Sequence, residues 1–250
     1  MKHLNGKVAF VSGGGRGIGA AAALTLALQG AKVVVNYVRQ SESAQAVVDR
    51  IRQAGGEAAL AKADVRDPEQ VREALAPIRA TWGDIDILVN NAHMSFVMKP
   101  VMEMQWEELA QKLNDEMKAA FTLTKIVLPA MIERKYGRLI YISSNAAEAP
   151  LPYMAAHGSA KAALDAFVKY VALENAPYGV TANIVSPGLV ETEASSETPE
   201  VIKRQVAAMT PMQRVAVPDD ISGAIAFFAS EESRFVTGTC MKVNGGINMD

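Results

Sequence analysis

The sequence predicts an α/β protein in which a parallel β-sheet is covered by helices on both of its faces. Short apolar runs rich in Val, Ile and Leu alternate along the chain with longer helix-like segments, and glycines or prolines separate many of them. A strand that is buried on both faces has a continuous apolar sequence. Strands that alternate with helices of about 10 to 20 residues are typical of parallel βαβ units.

Seven segments have strand character, and we expect them to form one doubly wound parallel sheet. The first reads KVAFVS and is closed by glycines, whereas the third is a weaker strand. The seven predicted strands are residues 7–12, 31–37, 57–63, 85–90, 138–143, 181–186 and 240–244.

Helix-like segments lie between these strands, and several begin or end at residues that favour a helix terminus. Gly30 and Gly55 each follow a predicted helix, and Pro68 lies in the first turn of another. The predicted helices are residues 17–29, 41–54, 68–82, 117–134 and 155–175. We predict one domain over residues 1–250. Residues 189–217 break the alternation with Ser, Thr, Glu and Pro, and they are a candidate substrate lid.

The composition argues against several classes of function. The formal net charge is −2 without a basic block, so neither nucleic acid nor an anionic membrane is the expected partner. Cys240 is the single cysteine, which excludes an internal disulfide and fits a reducing compartment. No apolar stretch reaches the roughly 18 residues of a membrane span. We expect a soluble cytoplasmic protein without a metal site.

The first predicted strand ends in a glycine-rich turn, SGGGRGIG at residues 12–19, which opens the first predicted helix. Glycines allow the backbone to turn tightly and to approach a pyrophosphate, whose charge then lies at the helix N-terminus. This position in the chain predicts a dinucleotide site and a Rossmann-type sheet. The spacing of Gly13, Gly17 and Gly19 differs from the common G-x-G-x-x-G pattern.

With this spacing the chain resembles the short-chain dehydrogenase/reductase family, and the likeness extends along essentially the whole sequence. Within the family it is most similar to the β-ketoacyl-ACP reductases. The further matching motifs are Asp64-Val65, Asn90-Asn91-Ala92, Ser144 with Lys161, Ser186-Pro187-Gly188 with Thr192, and the closing residues 243–246. The resemblance implies that Asp64 and Val65 hold the adenine and that Thr192 lies beside the nicotinamide.

Charge at the end of the second strand indicates which nucleotide binds. An acid there would hold the ribose hydroxyls of NAD, but no carboxylate occurs before Glu42. The guanidinium groups of Arg16 and Arg39 suit a 2′-phosphate, so NADP(H) is the expected cofactor. Together with the resemblance, this predicts nucleotide contacts at Gly13, Arg16, Gly17, Ile18, Gly19, Tyr37, Arg39, Ser41, Asp64, Val65, Asn91, Ala92, Lys161, Pro187, Gly188, Val190 and Thr192.

The catalytic positions depart from the family pattern at one residue. The family uses a serine after the fifth strand and a Tyr-x-x-x-Lys pair on one helix face. Ser144 and Lys161 match, but His157 stands in the place of the tyrosine. Histidine is a general acid or base, and the neighbouring Lys161 would lower its pKa and leave the imidazole neutral. His157 is therefore either the proton donor or a space-filling residue in a silent site.

Three other positions leave alternatives open. Tyr153 precedes Lys161 by eight residues, close to the place of the tyrosine in enoyl reductases of the same family. The family's catalytic asparagine, which anchors a water to the lysine, corresponds either to Asn114 or to Glu116. His93 replaces a family glycine near the nicotinamide.

The leading prediction is an NADPH-dependent oxidoreductase that reduces a carbonyl, such as a 3-oxoacyl thioester to its 3-hydroxyacyl product. The alternatives are an enoyl thioester reductase that uses Tyr153 and a catalytically silent NADP-binding protein. The resemblance further implies a homotetramer built through the helices at 117–134 and 155–175 and the C-terminal strand. A methionine-rich segment after the fourth strand would suit an acyl chain: Met94, Met98, Met102 and Met104.

Overall fold

Seven parallel strands form one sheet in the computed structural model, which describes residues 3–196 and 198–249. The strands lie side by side in the order β3-β2-β1-β4-β5-β6-β7. Their bounds are β1 Val8–Val11, β2 Lys32–Tyr37, β3 Glu57–Lys62, β4 Ile87–Asn90, β5 Gly137–Ile142, β6 Val180–Pro187 and β7 Cys240–Val243. This architecture confirms the predicted doubly wound sheet.

Helices cover both faces of the sheet and enclose two apolar layers. One layer packs α1, α2 and α7 against the sheet, and the other packs α3, α4 and α5 against the opposite face. The helices are α1 Gly17–Leu28, α2 Ser41–Gln53, α3 Pro68–Trp82, α4 Trp106–Arg134, α5 Ala155–Asn175, α6 Glu200–Met209 and α7 Pro218–Ala229. Burial on both faces explains why the strands have continuous apolar sequences.

The strand order indicates where on the sheet a ligand would bind. β1 pairs with β2 on one side and with β4 on the other, so the chain reverses its direction of winding there. Ligands of open α/β sheets bind in the crevice that forms at the carboxyl ends of the strands at such a point. The turns after β1 and β4 therefore face the expected dinucleotide site.

The helix boundaries show where the sequence pattern was insufficient. α4 begins at Trp106, well before the predicted residue 117, because Gln105 and Glu108 form a capping box at its start. α6 and α7 were not predicted, and α6 lies inside the candidate lid at 189–217. α6 has no buried residue, and a bridge between Val190 and Ala216 closes the base of this excursion. Glu197 of the candidate lid lies outside the described residues.

Two kinds of feature that bear on function are absent from the described residues. In the ranges 3–196 and 198–249, no helix is long and apolar enough to cross a membrane. Within the same ranges, no group of three or more His, Cys, Asp or Glu side chains is arranged to hold a metal ion.

Candidate functional site

The turn between β1 and α1 has a backbone that only glycine can provide at several positions. Gly13 and Gly17 have φ angles of 61° and 51°, in the left-handed region that favours glycine. A Cβ on Gly19 would lie 2.3 Å from the Gly13 carbonyl oxygen, which no side chain tolerates. The glycines therefore let the turn pack closely against its own backbone and against the segment that follows β4.

A set of hydrogen bonds holds this turn against the ends of β2 and β4. The backbone N–H groups of Asn91 and Ala92 donate to the Ser12 hydroxyl at 2.8 and 2.9 Å. The Asn91 amide also donates to the Ser12 carbonyl at 2.9 Å. From the other side, the buried Asn36 carboxamide oxygen accepts from the Gly13 N–H at 3.2 Å. The turn is thus held in place by polar contacts that do not involve a ligand.

The residues at this edge of the sheet fit a dinucleotide. Helix α1 begins without a side-chain cap, so the first N–H groups of the helix remain available to a phosphate. Ile18 is the second residue of the same helix. A pyrophosphate would be held by these N–H groups at the start of α1 and by the backbone of the glycine turn.

Asp64 and Val65 follow β3 as expected, but the Asp64 carboxylate already has a partner. Arg66 donates to both of its oxygens, at 2.7 Å in the shortest contact, and also pairs with Asp115 at 2.8 Å. The Arg66 guanidinium lowers the pKa of Asp64 through these bonds. Val65 is buried. This network links the end of β3 to α4 and fixes the floor of the expected adenine pocket.

The groups expected at the 2′-phosphate lie at the end of β2 and in the glycine turn. Tyr37 is the last residue of β2 and Ser41 the first of α2. Arg16 and Arg39 are exposed, and within the described chain neither is ion-paired with a carboxylate. Both guanidinium groups are free to bind an anion.

The residues expected after β6 form the wall opposite the glycine turn. Pro187 ends β6, and Gly188 packs against Asn244, where a Cβ would come within 3.3 Å. Val190 is buried, and Thr192 reaches the turn, since its Cγ2 lies 3.2 Å from the place of a Cβ on Gly17. The start of the candidate lid therefore touches the expected nucleotide cradle.

Lys161 lies at the centre of the site and is held by two hydrogen bonds. Its Nζ donates to the Ile142 carbonyl at 2.7 Å and to Glu116 Oε1 at 2.6 Å. The other oxygen of Glu116 accepts from Lys112 Nζ at 2.6 Å. Burial alone would raise the pKa of Glu116, but the charges of Lys161 and Lys112 lower it to about 2. A buried carboxylate therefore joins two buried ammonium groups.

This geometry decides between the two candidates for the asparagine position. The Glu116 side chain is buried and contacts Lys161, whereas Asn114 is exposed on another face of α4. Asn114 was predicted to be catalytic; the structure places it away from Lys161, and its role stays a prediction. At 100° per residue, positions two apart on a helix point in nearly opposite directions, so only one of them can face the site.

His157 is buried beside Lys161 on the first turn of α5. Its ring stacks on Phe96 with the ring centres 4.6 Å apart, and its Nδ1 has no hydrogen-bond partner within the described protein. Burial and the Lys161 charge lower the pKa of His157 to about 3. The imidazole is therefore neutral at physiological pH, with one buried nitrogen that can bond to a substrate.

Ser144 lies two residues after the end of β5, beside the cleft at the carboxyl edge of the sheet. Its Oγ accepts from the Ala146 N–H at 3.3 Å, which leaves the hydroxyl proton free to bond to a substrate oxygen. Gly158 lets the first turn of α5 approach this segment, because a Cβ there would lie 2.7 Å from the Ala146 carbonyl oxygen. Gly158 thus brings the helix that carries His157 against the segment that carries Ser144.

Tyr153 and His93 occupy the rim of the cleft. Tyr153 lies in a turn before α5, is 56% exposed and has a φ of 68°. Its carbonyl accepts from the Lys99 N–H at 3.2 Å. His93 is exposed at the mouth, where partial desolvation and the charges of Lys112 and Lys161 lower its pKa.

Four residues that contribute to the candidate site were not identified from the sequence. Lys112 could have been found as the partner of Glu116, because the two are spaced i,i+4 on a helix. Gly158 lies inside a predicted helix, where a glycine signals a close approach. Asn36 and Phe96 carry no signal in a single sequence, since their contacts come from segments far along the chain.

Comparisons with known proteins place this arrangement in a family. A family model described as enoyl-(acyl carrier protein) reductase matches residues 13–248. The chain is 36% identical to the 3-oxoacyl-(acyl-carrier-protein) reductase of Escherichia coli K12 over 247 residues, covering 99% of each protein. It is 31% identical over 245 residues to the Staphylococcus aureus Mu50 protein of the same name, covering 97% of this chain and 98% of that protein.

A solved structure of high similarity supports the same assignment. A dehydrogenase/reductase from Sinorhizobium meliloti 1021 superposes with a TM-score of 0.90 and 36% identity, covering 99% of this chain and 97% of that one. The glycine turn, the strand order and these full-length similarities agree, and the chain belongs to the short-chain dehydrogenase/reductase family of oxidoreductases.

Proposed function

We propose that this protein is an NADP(H)-dependent reductase of a carbonyl, with a 3-oxoacyl thioester as its substrate. The observation that carries the proposal is the convergence of Ser144, His157 and Lys161 on the carboxyl edge of the sheet, beside the glycine turn. The names of the Escherichia coli and Staphylococcus aureus relatives support the 3-oxoacyl substrate.

The nucleotide would be held by the turn after β1, by Lys161 and by the segment that contains Thr192. The nicotinamide supplies hydride to the carbonyl carbon when the reduced nucleotide is bound. Arg16 and Arg39 support NADP(H) over NAD(H), because both are unpaired guanidinium groups in the described structure and no acid closes β2.

The side chains of the site would handle the substrate oxygen and its proton. The Ser144 hydroxyl would donate a hydrogen bond to the carbonyl oxygen and hold it in place. His157 Nδ1 would supply the proton that the oxygen needs as negative charge develops there. Because the pKa of His157 is lowered to about 3, only a small fraction carries this extra proton at neutral pH. We therefore propose a slow reductase whose rate rises as the pH falls.

An apolar surface next to the cleft suits the acyl chain. Met98 and Met102 lie after β4 and are 62% and 95% exposed, and Val101 between them is also exposed. Methionine side chains adapt their shape to irregular apolar ligands. This surface would accept the chain of a fatty acyl thioester.

The first test measures NADPH oxidation with acetoacetyl thioester between about pH 5.5 and 8. The imidazolium fraction of a group with a pKa near 3 increases about tenfold for each unit of pH decrease in this range, and the rate should follow it. Below about pH 6.5 the unfolded chain binds a proton at His157 that the folded protein does not bind. The free energy of unfolding therefore decreases as the pH falls, and it must be measured in parallel. A rate that is constant or falls with acidity would exclude His157 as the donor.

A second candidate is the reduction of an enoyl thioester. The description of the matching family model as an enoyl reductase favours it, and Tyr153 lies exposed at the rim of the cleft. Turnover of crotonyl thioester in place of the keto substrate, lost in Tyr153→Phe, would support this function. NADPH binding without turnover of either thioester would favour a binding protein.

We also propose a cytoplasmic homotetramer. The similarity to the family supports subunit contacts through α4, α5 and β7, and the outward faces of α4 and α5 expose apolar side chains. The single cysteine, Cys240, fits a reducing compartment.

A further inference from the structure

Lys112 is a fully buried lysine that no part of the proposed reaction uses. It lies on α4, and its Nζ donates to the Met94 carbonyl at 2.8 Å and to Glu116 Oε2 at 2.6 Å. The ammonium also lies 5.6 Å from the centre of the Phe96 ring. A buried ammonium is costly unless it is paired and hydrogen-bonded, so its retention calls for a reason.

The contacts of Lys112 lead to the site along two separate arms. In the first arm, the Glu116 carboxylate bridges Lys112 and Lys161. Each lysine Nζ donates to one of its oxygens at 2.6 Å. In the second arm, the Phe96 ring lies over Lys112 on one side and stacks on the His157 ring at 4.6 Å. One side chain on α4 thus contacts the supports of both Lys161 and His157, which are on α5.

The charges of this cluster explain why a lysine is needed. Glu116 alone would neutralise Lys161, and the pair would then present no net charge to an anionic nucleotide. Lys112 adds one positive charge, so the group of Lys112, Glu116 and Lys161 has a formal charge of +1, from two lysines and one carboxylate. The cluster therefore has the net charge of one lysine, while the Glu116 carboxylate holds Lys161 in place.

From this geometry we propose that Lys112 is a positioning residue, which orients Lys161 through Glu116 and His157 through Phe96. The inference rests on the proposed function only in that Lys161 and His157 are taken as the working groups of the site. It concerns their placement and does not depend on the substrate.

The test compares Lys112→Met with Lys118→Met, an exposed lysine on the same helix. The first readout is the NADPH dissociation constant from nucleotide fluorescence, on protein shown by circular dichroism to be folded. We expect Lys112→Met to bind NADPH about tenfold more weakly, because the site loses one positive charge and Lys161 loses its fixed position. Lys118→Met should bind as the unsubstituted protein does.

The second readout needs neither nucleotide nor turnover. The chain has only three histidines, and the exposed His3 serves as an internal reference in a spectrum of the imidazole protons. The Phe96 ring current shifts the His157 resonances at neutral pH because the rings are stacked. These resonances should move in Lys112→Met and stay in place in Lys118→Met.

The double variant Lys112→Met with Glu116→Gln removes both charges and keeps the test decisive if the single variant does not fold. Joint removal of a buried pair is often tolerated where single removal is not. We expect the His157 resonances of the double variant to be displaced as in Lys112→Met, because the Phe96 ring has lost the ammonium beside it. Folded Lys112→Met with unchanged affinity and unchanged His157 resonances would overturn the proposal, as would a double variant with undisplaced resonances. Absence of ketone reduction in the unsubstituted protein would sink the proposed function and leave this test standing.

Discussion

At the scale of single residues, the main question is what His157 does at the position where we propose that the family has a tyrosine. A lysine ammonium stabilises the phenolate that remains after a tyrosine gives up its proton. The same ammonium opposes protonation of an imidazole. The burial of His157 lowers its pKa in the same direction as the Lys161 charge. We therefore propose that a histidine at this position weakens the acid, while Ser144 and Lys161 keep their roles.

Restoring the phenol should increase ketone reduction. His157→Tyr is expected to raise the rate at pH 7 by at least about tenfold, because a positioned general acid contributes roughly 10²–10⁴ to rate. The measurement is NADPH oxidation with acetoacetyl thioester, with NADPH affinity determined on the same sample. His157→Phe is the control, since it matches the ring size without a dissociable proton, and it should show no gain. Equal rates in both variants would mean that the acid is not the limiting group.

At the scale of secondary-structure elements, the contact between α5 and the segment after β5 aligns the two halves of the proposed catalytic group. Gly158 makes the contact possible, and His157 and Ser144 lie on its two sides. A side chain at Gly158 would clash with the backbone carbonyl of Ala146. Backbone cannot move aside as a flexible side chain can.

Gly158→Ala is therefore expected to separate these elements. We expect a loss of about 1 to 3 kcal/mol in the free energy of unfolding from overpacking, and a loss of thioester turnover. Gly223→Ala is the matched control, because a Cβ there meets nothing within 4 Å on α7. It should stabilise the protein by up to about 1 kcal/mol, as helix propensity predicts. Chemical denaturation of both variants checks the pair, and a Gly158→Ala protein as stable as the control would contradict the argument.

The elements also show how far the sequence could predict the structure. The helix over Ala155–Asn175 was predicted at its observed bounds, because an Ala-rich segment has clear limits there. The first part of α4 was missed because residues 106–116 are mostly polar and charged. Lys112 and Glu116 point inward from that part, and polar residues on a buried face contradict the usual apolar pattern.

The site was predictable where the chemistry depends on local spacing. The glycine turn and the separation of Ser144, His157 and Lys161 can be read from one sequence. The choice between Asn114 and Glu116 depends on which face of α4 packs against α5, and a single sequence does not contain that information. The stacking of Phe96 on His157 likewise depends on how the loop after β4 folds back over the sheet.

At the scale of the whole molecule, the outward faces of α4 and α5 carry apolar side chains that a monomer would leave in water. Phe121 on α4 is 52% exposed, and Tyr170 and Leu173 on α5 are 65% and 73% exposed. Exposed apolar surface of this kind is typical of subunit contacts. These faces belong to the same two helices that carry Lys112, Glu116 and Lys161, so assembly would also stiffen the support of the site.

Light scattering after size exclusion is therefore expected to give the mass of a tetramer, and Leu173→Glu should reduce it to a smaller species. The carboxylate would be buried without a partner at the contact, whereas in a separated subunit it would lie in water and leave the fold intact. Leu28→Glu on α1 is the control, because Leu28 is similarly exposed at 65% but lies on the opposite layer of the sheet. It should remain tetrameric. A Leu173→Glu protein that stays tetrameric, or an unsubstituted protein that is monomeric, would show that α5 is not the subunit contact.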